Sequence, residues 1–361
     1  MRIAQIAPLS ESVPPRLYGG TERIAHYLTE ELVRLGHDVT LFASGDSITS
    51  ARLIECAPRA LRLDGNQNPL MSNMIMLDRV RQLTNEFDAI HFHIDILHYP
   101  LVRTLQIPLV TTLHGRLDTA GLADFYSKFP ELPLVSISYD QRKPLPPVNW
   151  AGNVYHGLPA ELLGFSSYAT GGYLAFLGRI SPEKRPDLAI EIAVRSGRQL
   201  KIAAKIDPVD HHYWTSMIEP LVNQHSNVEY IGEIGENNKA EFLGGASALL
   251  FPIDWPEPFG LVMIESMACG TPVIAFNRGS VPEVIEHNVS GLIVENVDQA
   301  VVAVQTAESM DRSVVRSTFE QRFTVTRMAQ DYLTIFQKLG APCGKLRAPA
   351  SKSLSILEAA A

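Results

Sequence analysis

A short basic segment in the second half of the chain carries side chains suited to binding an anion. Residues 178–186 contain three cations: Arg179, Lys184 and Arg185. Pro186 is typical of the first residue of a helix, and a helix N-terminus carries partial positive charge that attracts phosphate groups. A diphosphate would therefore balance this segment. A solvated run of charges, partly neutralised by Glu183 and Asp187, accounts for it equally well.

A second segment combines two carboxylates with a sharp turn. Glu257 and Glu265 flank Gly260, and a helix is predicted from about Leu261 to Cys269. The first backbone N–H groups of such a helix have no intrahelical partner and can bind sugar hydroxyls or phosphate oxygens. Carboxylates accept hydrogen bonds from vicinal hydroxyls such as those of ribose. Taken singly, Glu257 is more simply a partner of the helix dipole and Glu265 a surface charge.

Both segments are predicted to follow strands of parallel sheets. Short apolar runs indicate strands in the first half of the chain at residues 2–7, 39–43, 88–93, 108–113, 134–138 and 153–155. The second half repeats the pattern at residues 173–177, 200–204, 228–231, 248–251, 272–275 and 292–294. Helical patterns between strands, at residues 21–35 and 186–195 for example, indicate strand–helix–strand units.

The predicted fold class is therefore α/β, with two tandem Rossmann-like, doubly wound parallel sheets facing each other across a cleft. We place the first domain at residues 1–160 and the second at 161–325. The last helix, about 326–342, is expected to pack back on the first domain, and residues 343–361 to form a flexible tail. Ligands of such sheets bind beyond the carboxyl ends of the strands, where both segments lie.

Length and composition exclude several classes of protein. A chain of 361 residues with 46% hydrophobic residues suits two cores, and a net charge of −8 disfavours nucleic acid as a partner. Its cysteines are too few and too scattered for a disulfide framework or a zinc cluster: Cys56, Cys269 and Cys343. Since no run of about 18 apolar residues is present, we expect no membrane span and a cytoplasmic location.

Metal and nicotinamide sites are disfavoured too. His91 and His93 share one face of a predicted strand but lack a clear third ligand, so a structural role is expected for them. No Gly-x-Gly-x-x-Gly follows the first strand, which argues against a dehydrogenase. The sequence also has no Asp-x-Asp motif that would hold a metal against a diphosphate.

The glutamate segment closely resembles the signature of the retaining glycosyltransferases of family four, which have the GT-B fold. In that family two glutamates are separated by seven residues, as Glu257 and Glu265 are, within Glu-Pro-Phe-Gly-Leu and before Ala-Cys-Gly-Thr-Pro-Val. The resemblance extends to Gly178-Arg179 with Lys184 and spans nearly the whole chain. It also includes Tyr18-Gly19-Gly20 and Thr112-Leu113-His114-Gly115.

The resemblance implies a hexosyltransferase that retains anomeric configuration and needs no metal or other cofactor. Its donor would be a nucleotide-diphosphate sugar, most commonly linked to UDP. Glu265 would bind the donor ribose and Glu257 the hydroxyls of the transferred sugar. Arg179 and Lys184 would hold the diphosphate, and His114 would lie near the reacting sugar.

The remaining implied contacts are made by backbone. Gly19 and Gly20 would form a loop that lets the donor phosphate and the acceptor approach closely, and Gly232 would lie beside the base. Backbone donors would come from Phe259, Gly260 and Leu261. The resemblance does not identify the acceptor, which is a glycan, a lipid-linked molecule or a small molecule. Peripheral membrane contact is one option, and the oligomeric state is unassigned.

Two features leave alternatives open. Many relatives have Asn-Gly-Val-Asp at the end of the first domain, whereas this chain has Tyr155-His156-Gly157-Leu158 and lacks the aspartate. Glu22 could contribute to the acceptor side, although a helix's first turn commonly carries an acid. A sugar-nucleotide epimerase of the same fold and a non-catalytic nucleotide-sugar-binding protein are the alternative functions.

Overall fold

The computed structural model of the protein describes residues 1–17, 19–62 and 69–342. Tyr18, which belongs to the predicted glycine loop, and the predicted tail 343–361 lie outside the described residues. Within the described part of the chain, no helix is both long and apolar enough to cross a membrane.

The first half of the chain forms a seven-stranded parallel sheet in the order β3-β2-β1-β4-β5-β6-β7. Its strands are β1 (Arg2–Ile6), β2 (Asp38–Ser44), β3 (Arg52–Ala57), β4 (Ala89–Phe92), β5 (Leu109–Thr112), β6 (Leu134–Ser136) and β7 (Trp150–Asn153).

The second half forms a six-stranded parallel sheet in the order β10-β9-β8-β11-β12-β13. Its strands are β8 (Tyr173–Arg179), β9 (Leu200–Lys205), β10 (Val228–Gly232), β11 (Ala246–Phe251), β12 (Val273–Phe276) and β13 (Gly291–Val294). In each sheet the strand order reverses beside the first strand, as in doubly wound folds. The predicted fold class is confirmed.

Helices connect the strands of both sheets. In the first half they are α1 (Gly20–Arg34), α2 (Pro69–Leu83), α3 (Tyr99–Val102) and α4 (Leu122–Ser127). Those of the second half are α5 (Pro186–Ser196), α6 (His211–Tyr213), α7 (Glu219–Gln224), α8 (Glu236–Gly245), α9 (Leu261–Ala268), α10 (Val281–Val284), α11 (Val297–Glu308), α12 (Arg312–Arg322) and α13 (Val325–Lys338). A π-helical turn at Trp214–Ile218 joins α6 to α7, and single 3₁₀ turns occur at Thr84–Glu86, Asp140–Arg142, Pro182–Lys184 and Pro208–Asp210.

The sequence prediction was wrong at two places in the first sheet. It missed the strand β3, whose exposed and buried residues do not alternate regularly, and the helix α2 that follows. It also placed the seventh strand at residues 153–155. The strand instead ends at Asn153, which pairs with Ser136. Val154 is apolar because it is buried beyond the strand's end.

The last helix, α13, packs against the first sheet. The Tyr332 hydroxyl lies 2.9 Å from Thr112 Oγ1 at the end of β5, and the ring centroids of His91 and Tyr332 are 4.5 Å apart in a tilted arrangement. At the start of the helix, Thr326 donates to Glu31 of α1 at 2.6 Å. The chain thus returns to its first half, while the proposed boundaries at residues 160 and 325 stay a prediction.

Glu283 of α10 connects the two halves of the protein by hydrogen bonds on one side of the cleft. Its carboxylate accepts hydrogen bonds from the backbone N–H groups of Tyr139 and Asp140 at 2.8 and 2.7 Å. The Tyr155 hydroxyl donates to the same carboxylate at 3.0 Å. These contacts set the carboxyl edges of the two sheets opposite each other.

Candidate active site

A cavity of about 580 Å³ lies between the carboxyl edges of the two sheets. Loops that follow β1, β5, β8 and β11 contribute to its walls. Every residue proposed from the sequence for the site lines this cavity except Gly232: Glu257, Lys184, Arg179, His114, Glu265, Gly19, Gly20, Phe259, Gly260 and Leu261. The fold therefore brings residues that are more than 200 positions apart into one place.

The basic segment enters the cavity through two of its three cations. Arg179 is the last residue of β8, and Lys184 ends the 3₁₀ turn that follows. Arg185 takes a left-handed conformation, with φ of 53°, as α5 begins. Its guanidinium binds Asp187 at 2.8 Å and Asp254 at 3.2 Å, and it does not line the cavity.

Protein carboxylates partner the two cavity cations. Arg179 lies 2.6 Å from Glu183 and 3.5 Å from Asp207, and Lys184 forms an ion pair with Glu257. These cations therefore have charged partners within the protein even without a diphosphate. Since an ammonium has three N–H donors and Lys184 is only partly enclosed, it can bind a phosphate while keeping Glu257.

Glu257 is held at the mouth of the glutamate turn. Its side chain accepts from Trp255 Nε1 at 2.8 Å as well as from Lys184, and the Lys184 ammonium lies 4.7 Å from the centre of the Trp255 ring. The residue is 8% exposed. Two partly buried donors and the low exposure of Glu257 fix the carboxylate toward the cavity.

Hydrogen bonds from both halves of the protein shape the turn after Glu257. Ser138 donates to the Pro258 carbonyl at 2.7 Å, and Ser280 donates to the Phe259 carbonyl at 2.9 Å. Gly260 then adopts φ of 77° and begins α9. A Cβ at Gly260 would lie 2.8 Å from Met263 Cε, so glycine alone fits without displacement. The first turn of α9 is thereby aimed at the cavity.

Glu265 is buried rather than a surface charge. It lies one turn into α9 and is 4% exposed. Lys239 of α8 donates to its Oε1 at 2.6 Å. The simpler interpretation offered for Glu265 from the sequence was therefore wrong.

The glycine pair closes the cavity from the opposite side. A Cβ at Gly19 would lie 2.7 Å from the Pro15 side chain, and a Cβ at Gly20 would lie 3.6 Å from the Leu261 side chain. The start of α1 therefore approaches the start of α9 closely. Any residue larger than glycine at position 19 would change this approach.

Neutral histidines form the inner wall. His114 follows β5, and its Nε2 lies 2.9 Å from His93 Nδ1, while His93 Nε2 lies 2.7 Å from Gln5 Oε1. Burial lowers the pKa of His114 to about 3. His156 stacks on His114 with ring centroids 5.3 Å apart, and burial also lowers its pKa well below the ordinary value. These rings can donate or accept hydrogen bonds without carrying charge.

His91 and His93 belong to this wall and not to a metal cluster. His91 Nε2 lies 2.7 Å from Thr112 Oγ1. The described residues contain no group of three or more His, Cys, Asp or Glu side chains placed to hold a metal ion. Neighbouring strand ends, β4 and β5, bring His93 and His114 together, which the parallel pairing of these strands could have indicated.

Gly232 lies just outside the cavity. It is the last residue of β10, with φ of 83°. The two residues that follow it, Glu233 and Ile234, line the cavity instead. The predicted contact with a base at this position stays a prediction.

Sequence reasoning missed several cavity residues. Lys205 ends β9 directly beside Arg179 in the sheet register, so its place followed from the strand pairing. No comparable feature of the sequence indicated that Arg23 and Lys239 would line the cavity. Glu22 also lines the cavity, is 6% exposed, and has its pKa raised by burial. The hypothesis that it serves the acceptor side stays a prediction.

Two family models match the chain. The model described as "Glycosyl transferases group 1" matches residues 166–319, and the model described as "Glycosyltransferase Family 4" matches residues 18–151. The second match contains the glycine pair and His114. The first contains both glutamates and the basic segment.

Curated relatives agree with these matches. An uncharacterized glycosyltransferase of Methanocaldococcus jannaschii is 24% identical over 333 residues, which are 80% of this chain and 84% of the relative. A putative glycosyltransferase of Bacillus subtilis is 26% identical over 190 residues. That alignment spans 48% of this chain and about half, 46%, of the relative.

Solved structures share the fold. Sucrose-phosphate synthase from Thermosynechococcus elongatus superposes with a TM-score of 0.78 at 18% identity, covering 94% of this chain and 99% of that one. The Anabaena protein HepE, solved in complex with UDP-glucose, gives a TM-score of 0.71 at 16% identity and covers 94% and 100%. At such identities the likeness shows the fold alone.

Proposed function

This chain belongs to the glycosyltransferases of family four, with the GT-B fold, and we propose that it is a retaining hexosyltransferase that uses a UDP-linked donor. The transferred sugar would be glucose or a close analogue. The observation that carries the proposal is the meeting of Arg179, Lys184, Glu257 and Glu265 with the glycine pair in one interdomain cavity. The acceptor contributes a hydroxyl group.

Each cavity group has a role in this proposal. The diphosphate lies against Arg179 and Lys184, with Lys205 adding a third cation beside them. Glu265 accepts from the ribose hydroxyls, and Glu257 accepts from hydroxyls of the transferred sugar. Because its pKa is low, His114 meets the sugar as a neutral hydrogen-bonding group.

The reaction exchanges one bond to the anomeric carbon for another. The bond from this carbon to the diphosphate oxygen breaks, and a bond to the acceptor oxygen forms on the same face of the sugar. The acceptor hydroxyl proton passes to the departing phosphate oxygen. Cations and helix N–H groups aimed at the diphosphate stabilise the negative charge that develops there, which is commonly the largest contribution to catalysis.

Metal independence is part of the proposal. Three cationic side chains line the phosphate end of the cavity: Arg179, Lys184 and Lys205. They can compensate the leaving group's charge without a divalent cation. We expect turnover to be unchanged by a chelator such as EDTA, and complete loss that Mg²⁺ or Mn²⁺ restores would contradict this part.

The proposal is tested by incubating the purified protein with a panel of nucleotide sugars, with and without a panel of sugar, glycan and lipid-linked acceptors. Release of nucleoside diphosphate that depends on one acceptor, with an α-donor giving an α-linked product by NMR, is the expected result. Conversion of the donor alone to an epimer would identify an epimerase. Binding without any turnover would indicate a non-catalytic binding protein.

A further inference from the structure

We propose that helix α8 couples the closing of the two domains to recognition of the nucleotide ribose, with Glu236 and Lys239 as positioning residues. Glu236 binds the first domain, and Lys239 binds Glu265. The inference rests on the proposed function only in taking Glu265 as the ribose carboxylate. Neither family resemblance nor the sequence assigned a role to this helix.

The first step is the contact between domains. Arg23 and Tyr27 lie one turn apart on α1, and each residue is 5% exposed. Arg23 Nη1 donates to Glu236 Oε2 at 2.6 Å, and the Tyr27 hydroxyl donates to Glu236 Oε1 at 2.5 Å. One carboxylate of the second domain therefore binds two buried donors of the first.

This contact is expected to favour the closed arrangement. When the domains separate, Arg23 and Tyr27 lose Glu236 as a partner. Charge-assisted hydrogen bonds of low exposure are stronger than neutral ones, and a buried charge that loses its partner is strongly disfavoured. Burial, together with the neighbouring Glu236, also raises the pKa of Tyr27, so its hydroxyl stays protonated as the donor.

Arg23 connects the same contact to the glycine loop. Its Nη2 donates to the Leu17 carbonyl at 2.7 Å, and its backbone N–H donates to the Gly19 carbonyl at 3.1 Å. Arg23 itself lines the cavity. The side chain that makes the interdomain contact therefore also holds the Leu17 carbonyl, on one side of the loop that closes the cavity, while the bond to Gly19 is the first backbone hydrogen bond of α1.

The second step runs along α8. Lys239 follows Glu236 by three residues, so the two lie on neighbouring positions of one helix. The Lys239 ammonium donates to Glu265 Oε1, and the side chains of these residues are 14% and 5% exposed. Because a carboxylate has about four acceptor positions, Lys239 fixes the orientation of Glu265 and leaves acceptor positions for ribose hydroxyls.

The two steps have a thermodynamic consequence. If closure places α8, and α8 places Glu265, then ribose binding stabilises the closed arrangement and closure strengthens ribose binding by the same factor. Tyr27 and Glu236 do not line the cavity. Any effect of their substitution on nucleotide affinity must therefore be indirect, either through the arrangement of the helix and the domains or through Arg23, the partner of Glu236 that does line the cavity.

The test compares UDP with 2′,3′-dideoxy-UDP by isothermal titration calorimetry. We expect Tyr27→Phe and Glu236→Gln each to weaken UDP binding about fivefold or more, within the usual range for coupled sites, and to weaken dideoxy-UDP much less. The UDP affinity of the double variant should lie within about twofold of that of the weaker-binding single variant, because both changes remove the same interdomain contact. Glu241→Gln, on the exposed side of α8, and the exposed Tyr168→Phe are the matched controls.

A second measurement follows the domains directly. Spin labels on cysteines introduced at Ile48 and Val302, both strongly exposed and one in each domain, report the interdomain distance in a background in which Cys56 and Cys343 are replaced. Tyr27→Phe and Glu236→Gln should broaden this distance distribution toward longer values. Lys239→Met should weaken UDP binding without broadening the distance distribution, because the interdomain contact stays intact.

The outcomes separate the inference from the proposed function. Unchanged UDP affinity in both Tyr27→Phe and Glu236→Gln, or an equal loss for UDP and dideoxy-UDP, would overturn the coupling through Glu265. An unchanged distance distribution would overturn the interdomain part. If the unchanged protein bound no UDP, ADP or GDP at all, the proposed function would fall, and the inference with it.

Discussion

Lys184 and Glu257 form an ion pair across the floor of the interdomain cavity, although 72 residues separate them in the chain. Lys184 comes from the turn after β8 and Glu257 from the turn after β11. These two strands are neighbours in the sheet. The parallel order therefore places the cation proposed to bind the diphosphate against the carboxylate proposed to bind the transferred sugar.

Replacing Lys184 by alanine should reduce turnover far more than donor affinity. The ammonium stabilises charge that develops on the departing diphosphate, and loss of one such donor typically costs about 10²–10³-fold in kcat. Initial rates at saturating donor measure the effect. The matched control is Lys128→Ala, an exposed lysine with 68% side-chain exposure. A kcat within about twofold of the unchanged protein would contradict the role of Lys184.

Glu265→Gln should weaken donor and nucleotide binding about tenfold, since a hydrogen bond to a charged group contributes about 1.5–3 kcal/mol. The amide also leaves Lys239 without its carboxylate partner. Calorimetric titration with UDP measures the change. Glu229→Gln, at a glutamate with 61% side-chain exposure, provides the comparison. Equal affinities for these two variants would argue against Glu265 as the ribose ligand.

Gly260→Ala should destabilise the protein and impair activity together. A non-glycine residue in a left-handed conformation costs about 1–2 kcal/mol, and the new Cβ would also lie 3.1 Å from the Phe251 ring. Gly172→Ala is the control, because Gly172 has φ of 64° but an open space around its Cβ position. Urea unfolding should show a larger loss of the free energy of unfolding for the substitution at Gly260 than for that at Gly172. Equal losses would mean that the side chains around Gly260 move aside at little energetic cost.

Folding stability should fall as the pH is lowered from about 6.5. Burial lowers the pKa of His98 to about 3, whereas a histidine in the unfolded chain has a pKa of about 6.5. Between these values the unfolded chain binds a proton that the folded protein does not, so each such ring costs about 1.4 kcal/mol per pH unit.

His98→Asn removes one of these rings away from the cavity. Its free energy of unfolding, measured in urea between pH 7 and pH 5, should therefore decline less steeply with falling pH than that of the unchanged protein. The substitution of exposed His212 by asparagine serves as the comparison. Parallel pH profiles for His98→Asn and the unchanged protein would show that His98 takes up its proton in the folded state too.

Much of the fold was predictable because both sheets are parallel and buried. Strands such as residues 173–177 read as continuous apolar runs, and a glycine follows closely after helices such as α1 and α5. The strand Arg52–Ala57 was missed because it lies at the edge of its sheet, where four of its six residues are not buried. At such an edge the pattern of apolar and polar residues gives little indication of a strand.

The site was predictable where residues follow strands directly. Arg179 ends β8, and His114 and Glu257 lie in the loops after β5 and β11, so their convergence followed from the topology. Lys239 lies within a helix of ordinary polar composition, and only tertiary packing brings it to Glu265. The same holds for Glu236, whose partners Arg23 and Tyr27 are more than 200 residues away.

The most direct test of the central claim is to titrate a panel of nucleotide sugars into the unchanged protein, Lys184→Ala and Glu265→Gln, and to follow release of nucleoside diphosphate with the acceptor panel. If the proposed function is correct, one UDP-linked donor binds and turns over. Glu265→Gln should bind it weakly, and Lys184→Ala should bind it but turn it over slowly. No binding of any nucleotide sugar, or equal binding and turnover by all three proteins, would contradict it.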